Sequence, residues 1–216
     1  AIEIDTTAPT TTISTLAFSA DTGTSSTDFI TKTAAQTISG TLSANLSSGE
    51  TVYVSLDNGS TWAAATATVG QNTWSLSGQT LTASKTLKVR VTDTAGNNGT
   101  ALSQAYVLDT TAPTATITSA AFSADTAANG ASNTDFNTHT AAQTVTGTLS
   151  GNTLAGDKVQ ISLDNGSTWV DATHTAGTNT FSLATTLTGD NTLMARVVDA
   201  RGNAAPAFNQ SYVYDT

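Results

Sequence analysis

Apolar and polar residues alternate through most of this chain, in short runs separated by turns rich in Ser, Thr, Asn, Asp and Gly. Ile38, Gly40 and Leu42 share one face of a candidate strand, and Val52, Val54 and Leu56 one face of the next. Trp74 and Leu76 mark another strand. Leu87, Val89 and Val91 point inward on the one after it, leaving Lys88 and Arg90 outward. A period of two is the pattern of a half-buried strand, and no crossover helix interrupts the series. Asp57-Asn58-Gly59 predicts a hairpin turn, because Asn and Gly tolerate positive φ. Residues 13–18 predict the first strand; its apolar ends, Ile13 and Phe18, are an odd number of residues apart, which implies a bulge or a switch between sheets. A long polar loop runs from Ser19 to Thr31. The turn at 93–97 leads into a last strand ending at Tyr106 and Val107.

The second half repeats this pattern. Val145, Gly147 and Leu149 answer the second strand, and Val159, Ile161 and Leu163 the third. Phe181 and Leu183 stand for Trp74 and Leu76, and Leu193, Ala195 and Val197 for Leu87, Val89 and Val91. Phe18 and Phe122 are 104 residues apart and Ile38 and Val145 are 107 apart, so the polar loop gains three residues in the second copy, within AANGASN at 127–133. A connector, DTTAPT, opens each copy at Asp5 and Asp109, and Asp215 begins a third. The chain therefore reads as a slice of a longer array. It holds two domains, 1–108 and 109–216, with a linker at about 108–114. About seven strands in roughly a hundred residues predict an all-β chain of two tandem immunoglobulin-like β-sandwich domains.

Composition narrows the function. Lys plus Arg number 7 and Asp plus Glu 16, a net charge of −9, which argues against nucleic acid or an anionic membrane as partner. There is no cysteine for a disulfide or a thiol nucleophile. No apolar run is long enough to span a bilayer, so no membrane insertion is expected. His139 and His174 lack repeat partners, and no GxSxG, P-loop or HExxH motif is present. Residues 55–62 and 162–169 both read SxDxGxTW, the form of the Asp-box of sialidase propellers. Here the boxes lie 107 residues apart rather than one blade apart, and only Arg90, Arg196 and Arg201 supply guanidinium groups. The boxes are expected to be hairpin devices. The chain is read as a non-enzyme without a small-molecule substrate.

The aspartates carry the remaining chemistry. Asp21 and Asp28 lie in the first polar loop, and Asp125 and Asp135 in the second. Asp5 and Asp109 lie in the connectors, and Asp93 with Asn97 and Asp199 with Asn203 in the last hairpin turns. In an immunoglobulin topology the first loop lies at the end where the last strand exits, and the last hairpin turn lies at the opposite end. This places Asp21 and Asp28 near Asp109, Asp93 and Asn97 near Asp5, and Asp199 and Asn203 near Asp109. Crowded carboxylates with carbonyl and amide oxygens select Ca²⁺. The competing reading is that each Asp caps its own turn.

Taken together, DTTAPT, AFSADTGTSSTDFIT, QTISGTL, SLDNGSTW and VTDTAGN resemble the bacterial immunoglobulin-like repeats of giant RTX-type adhesins, end to end over both copies. The resemblance implies extender repeats on the extracellular surface of a Gram-negative bacterium, exported by type I secretion and serving biofilm formation or attachment. It further implies calcium stiffening the linkers, neighbouring repeats of the same chain as the partners, and a monomeric state. The alternative is a glycan- or protein-binding adhesion module of the same fold, for which Tyr53 is the candidate outward aromatic, replaced by Gln160 in the second copy.

Overall fold

The computed structural model describes residues 4–23, 25–126 and 134–215. The extension at 127–133 lies outside them. The chain divides into two compact units, Ala1–Thr110 and Thr111–Thr216. The first contains β1 (Ile13–Phe18), β2 (Ile30–Thr31), β3 (Ala35–Leu42), β4 (Thr51–Ser55), β5 (Ala63–Ala64), β6 (Thr66–Ala67), β7 (Thr73–Thr80), β8 (Lys85–Thr92) and β9 (Leu102–Leu108). The second contains β10 (Ile117–Phe122), β11 (Asn137–Thr138), β12 (Ala142–Leu149), β13 (Lys158–Ser162), β14 (Val170–Asp171), β15 (Thr173–His174), β16 (Thr180–Thr186), β17 (Asn191–Val198) and β18 (Phe208–Tyr214). The expected strands are all present. The additional ones are two-residue segments at sheet edges, too short for a periodic signal.

Each unit is a sandwich of two sheets. In the first unit they are ordered β1-β3-β7-β6 and β2-β9-β8-β4-β5; in the second, β10-β12-β16-β15 and β11-β18-β17-β13-β14. All pairings are antiparallel except β2 with β9 and β11 with β18. Ile38, Val52, Leu87, Val89 and Val91 are completely buried between the first pair of sheets, as are Val145, Val159, Leu193, Ala195 and Val197 between the second pair. This is the alternation seen in the sequence, with Lys88 and Arg90 on the other face. Leu56 and Leu76 lie at the rim and are only partly buried.

The odd spacing of Ile13 and Phe18 is resolved by a bulge. Ile13 faces Leu42 but Thr15 faces Thr41, and the slip recurs between Ile117 and Ser119. The bulged strand presses its backbone onto Gly40, where a Cβ would sit 2.0 Å from the Thr15 carbonyl oxygen; at Gly147 the distance to the Ser119 oxygen would be 2.2 Å. Those glycines are required by close approach, not by a turn.

The polar loop Ser19–Thr31 ends differently from the expectation. Phe29 is buried edge-on against Phe18 at 5.0 Å, and Thr31 is wholly enclosed. Its last residues form β2, which adds a parallel strand beside β9.

Candidate functional site

Beneath the loop after β1 lies a buried amide. Gln36, 3% exposed, donates from Nε2 to the carbonyls of Ala20 (2.9 Å) and Thr33 (2.8 Å), and its Oε1 accepts from Ala20 N–H (3.0 Å) and Ser19 Oγ (3.2 Å). Thr31 Oγ1 adds a 2.6 Å bond to the Ala20 carbonyl. This knot holds Asp21 where its Oδ2 accepts Phe29 N–H at 2.9 Å, with Phe29 in the left-handed region at φ 60°. Such a backbone is unusual for an aromatic residue and persists because both its amide and its ring are tied down. Asp28 Oδ1 accepts from Ile30 N–H at 3.0 Å. Asp109 N–H donates to Thr31 O at 2.9 Å, so the chain leaves the unit beside this loop. Asp21 Oδ1 is buried and has no hydrogen-bond partner.

The second unit reproduces this arrangement on Gln143. Asp125 Oδ2 accepts Phe136 N–H at 2.9 Å with Phe136 at φ 63°, Asp135 Oδ1 accepts Asn137 N–H at 3.1 Å, and Asp215 N–H reaches Thr138 O at 3.0 Å. Asp125 Oδ1 is buried without a partner, as in the first unit. The longer loop thus leaves these bonds unchanged.

At the opposite end of the first unit, Asp93 accepts Asn97 N–H (2.8 Å) and Asn97 Nδ2 (2.9 Å), and Asn97 Nδ2 also reaches the Asp5 carbonyl at 3.1 Å. Asp5 Oδ1 caps Thr7 N–H at 2.9 Å. Asp199 accepts from Asn203 N–H (2.8 Å), Asn203 Nδ2 (2.9 Å) and Arg201 N–H (2.8 Å). The Asn97 side chain, followed by the turn amides, holds the Asp93 carboxyl below its usual range. Among the described residues, no three His, Asp or Glu side chains gather closely enough to form a metal cluster on their own. What the two loops hold in common is one buried carboxyl oxygen without a hydrogen-bond partner, Asp21 Oδ1 in the first unit and Asp125 Oδ1 in the second.

The two SxDxGxTW hairpins are internally closed. Asp57 accepts from Thr61 N–H (2.8 Å), Thr61 Oγ1 (2.6 Å) and Ser55 Oγ (2.8 Å), while Trp62 Nε1 donates to Gly59 O at 3.0 Å. Asp164, Thr168, Ser162 and Trp169 repeat the set. Each indole also carries a guanidinium that no local sequence signal marks: Arg90 stacks over Trp62 at 3.9 Å and Arg196 over Trp169 at 3.8 Å. In register, Arg90 faces Tyr53 and Arg196 faces Gln160, which bonds its guanidinium at 2.9 Å. A shallow cleft beside each hairpin is lined by Leu56, Asp57, Thr61 and Tyr106, or by Leu163, Asp164, Thr168 and Tyr212. The tyrosine hydroxyls donate inward to the Leu56 and Leu163 carbonyls, both at 2.8 Å, so those hydroxyls are spent on the fold.

These bonds stabilise the ionised carboxylates. Thr61, through its hydroxyl first and then its amide, holds the Asp57 carboxyl far below the usual range, and Thr168 brings Asp164 from 3.8 to about 2. A pKa lowered by folding contributes stability above the unfolded value, and that contribution is lost as pH falls through the folded one. Both units should keep this contribution down to about pH 4 and lose it progressively toward pH 2. Thermal melts across that range check this: Asp57→Asn with Asp164→Asn should flatten the acid slope, and an unchanged slope would remove these hairpins as its source.

No curated protein sequence matches the chain. Among solved structures it is similar to the fibronectin(III)-like modules of Clostridium thermocellum CbhA, at 13% identity and TM-score 0.51, over 93% of this chain and 94% of that one. It also aligns with the BSP domain of a biofilm associated protein at 15% identity and TM-score 0.28, over 87% of this chain but 28% of that one. A family model described as bacterial Ig-like domain matches residues 7–110. The first unit is therefore similar to bacterial Ig-like domains, and the second repeats its topology strand for strand.

Proposed function

We propose that the two units are non-enzymatic extender repeats of a large bacterial surface adhesin, stiffened by calcium. The observation that carries this reading is how the chain threads the first unit. It comes in at Asp5, bonded to the turn that precedes β9, and leaves at Asp109, beyond the far end of that strand. Seven residues of strand span about 23 Å. Each unit thus carries the chain from one end of its sandwich to the other, and further copies add length. The order of motifs shared with RTX-type repeats supports the same assignment, with the cell surface of a Gram-negative bacterium as its location. The partners of such a unit are the neighbouring repeats of one monomeric chain.

Calcium is supported by Asp21 Oδ1 and Asp125 Oδ1, because a polar oxygen buried without a partner is costly and a cation removes that cost. Asp21, Asp28 and Asp109 would hold it in the first unit, and Asp125 with Asp135 in the second. Asp5 with Asp93, and Asp199 with Asn203, would supply ligands at the leading ends. Bound calcium would supply charge neutralisation and a cross-link between loop and connector. An extracellular-type site has a Kd on the order of 10⁻⁴–10⁻³ M, so in millimolar calcium each site adds about 0.4–1.4 kcal/mol.

Calorimetric titration should give binding in that range, with a lower stoichiometry when Asp21→Asn and Asp125→Asn are combined. Small-angle scattering should show a broader distribution of dimensions under excess chelator, with strand content kept. No calcium heat, together with scattering insensitive to chelator, would leave the aspartates as turn caps. Selective binding on a glycan array would instead favour the adhesion-module reading.

A further inference from the structure

The two hairpins carry a chemical liability that the extender reading leaves unused. Asn58-Gly59 and Asn165-Gly166 are Asn-Gly pairs at turn tips with the asparagine exposed. Of the chain's two other Asn-Gly pairs, Asn98-Gly99 lies in a bridge to Thr92 and Asn129-Gly130 lies outside the described residues. In an Asn-Gly pair the glycine main-chain nitrogen attacks the asparagine Cγ. The N–Cγ bond forms, the Cγ–Nδ2 bond breaks, and the nitrogen's proton leaves with the ammonia. Water then opens the succinimide at either carbonyl, giving Asp or an isoaspartyl residue. Water is the only co-reactant, and nothing is oxidised or reduced. Glycine favours the attack because no Cβ shields its nitrogen. Ring closure also requires that the glycine N–H be unengaged and that the main chain be able to rotate.

Neither condition is met in the hairpins. Gly59 N–H donates to Ser55 Oγ and Gly166 N–H to Ser162 Oγ, both at 2.8 Å. Both serines are 1% exposed. Each hydroxyl proton is committed to a carboxylate, Ser55 to Asp57 Oδ1 at 2.8 Å and Ser162 to Asp164 Oδ1 at 2.7 Å. The serine oxygen is therefore left to accept from the glycine amide. Asn58 and Asn165 sit at φ 65° and 57°, and their own N–H groups donate to Thr86 O (3.0 Å) and Thr192 O (3.2 Å). Rotating this left-handed backbone to close a five-membered ring would break these bonds together.

We propose that Asn58 and Asn165 are latent deamidation sites, kept as asparagine by the hydroxyls of Ser55 and Ser162. Deamidation at either one adds a negative charge to a chain already at −9. Its isoaspartyl product also inserts a methylene into the hairpin main chain. Asn98 is held differently, since Gly99 N–H pairs with the Val91 carbonyl at 2.8 Å, so it serves as an internal reporter of opening of the first unit.

The test is peptide mapping with isoaspartate quantification on the full chain, incubated at pH 8 and 37 °C, native and in urea. Native wild-type rates at Asn58 and Asn165 should be at least about tenfold below those in urea. Ser55→Ala should raise the rate at Asn58 several-fold to about tenfold, the equivalent of one net hydrogen bond, and leave Asn98 and Asn165 unchanged. Ser162→Ala should do the same at Asn165 alone, and Ser55→Thr, which keeps the hydroxyl, should stay at the wild-type rate. Equal native and urea rates, or no rise at Asn58 in Ser55→Ala, would overturn the proposal. A parallel rise at Asn98 would also overturn it, because it would assign the protection to the closed unit rather than to the serine.

Discussion

Gln36→Ala is expected to cost the first unit about 3 kcal/mol or more, and Gln143→Ala to do the same in the second. Both side chains are nearly enclosed, at 3% and 4% exposure. Truncation at 36 strips the Ala20 amide and the Thr33 carbonyl of bonds of 3.0 and 2.8 Å. At 143 it strips Ala124 N–H (2.9 Å) and Thr140 O (2.8 Å). A buried polar group left unpaired costs about 1–3 kcal/mol, and the lost side-chain volume adds a cavity cost. Gln36→Met restores much of the volume but none of the bonds, so it should remain strongly destabilising. Urea melts of each variant measure the effect. Hydrogen exchange at the Phe29 amide should rise in Gln36→Ala well before the strands open, because Ala20 directly precedes Asp21. A loss below about 1 kcal/mol would mean that water replaces the amide and that the knot is not what holds the loop.

Gly40→Ala should be as damaging for a different reason. Its Cβ would lie 2.0 Å from the Thr15 carbonyl oxygen and 2.9 Å from Trp74 Cζ2. At Gly147 the obstacles are the Ser119 oxygen at 2.2 Å and Phe181 Cζ at 2.4 Å. A ring can turn aside, but a backbone oxygen moves only if β1 separates from β3. Overpacking typically costs about 1–3 kcal/mol and more where backbone must shift, so about 3 kcal/mol or more is expected, against the fraction of a kcal/mol gained by restricting the unfolded chain. Gly151→Ala provides the comparison, because a Cβ there meets nothing within 4 Å and should be neutral to slightly stabilising. Equal stability of Gly147→Ala and Gly151→Ala would show that the bulge can relax.

Both predictions concern residues whose importance the alternating pattern hides. Gly40 reads as one more inward position between Ile38 and Leu42, and nothing local marks it as the place where a bulged neighbour presses in. Gln36 reads as an ordinary polar residue at a strand start. Its partners Ser19 and Ala20 lie across the loop from it, and Thr33 three residues before it. The order of strands, the hairpin turns and the capping roles of Asp57 and Asp164 were readable because each depends on neighbours within a few residues. The nearness of Asp93 and Asn97 to Asp5 was readable only by adding the topology of the fold.

By itself, then, the sequence determined what local geometry controls: the two-residue period of the strands, the positive-φ turns at Asn58 and Asn165, the repeat, and the acidic surface. Tertiary structure alone decided which polar groups pair between distant parts of the chain and which stay unpaired. It stacked Arg90 on Trp62, buried Thr31 in what reads as solvent loop, pulled Phe29 into a left-handed backbone, and left one oxygen of Asp21 and one of Asp125 enclosed without a partner. The physical reason is that desolvation and hydrogen-bond satisfaction depend on what the rest of the folded unit brings to a residue, and the backbone period carries no information about those distant partners.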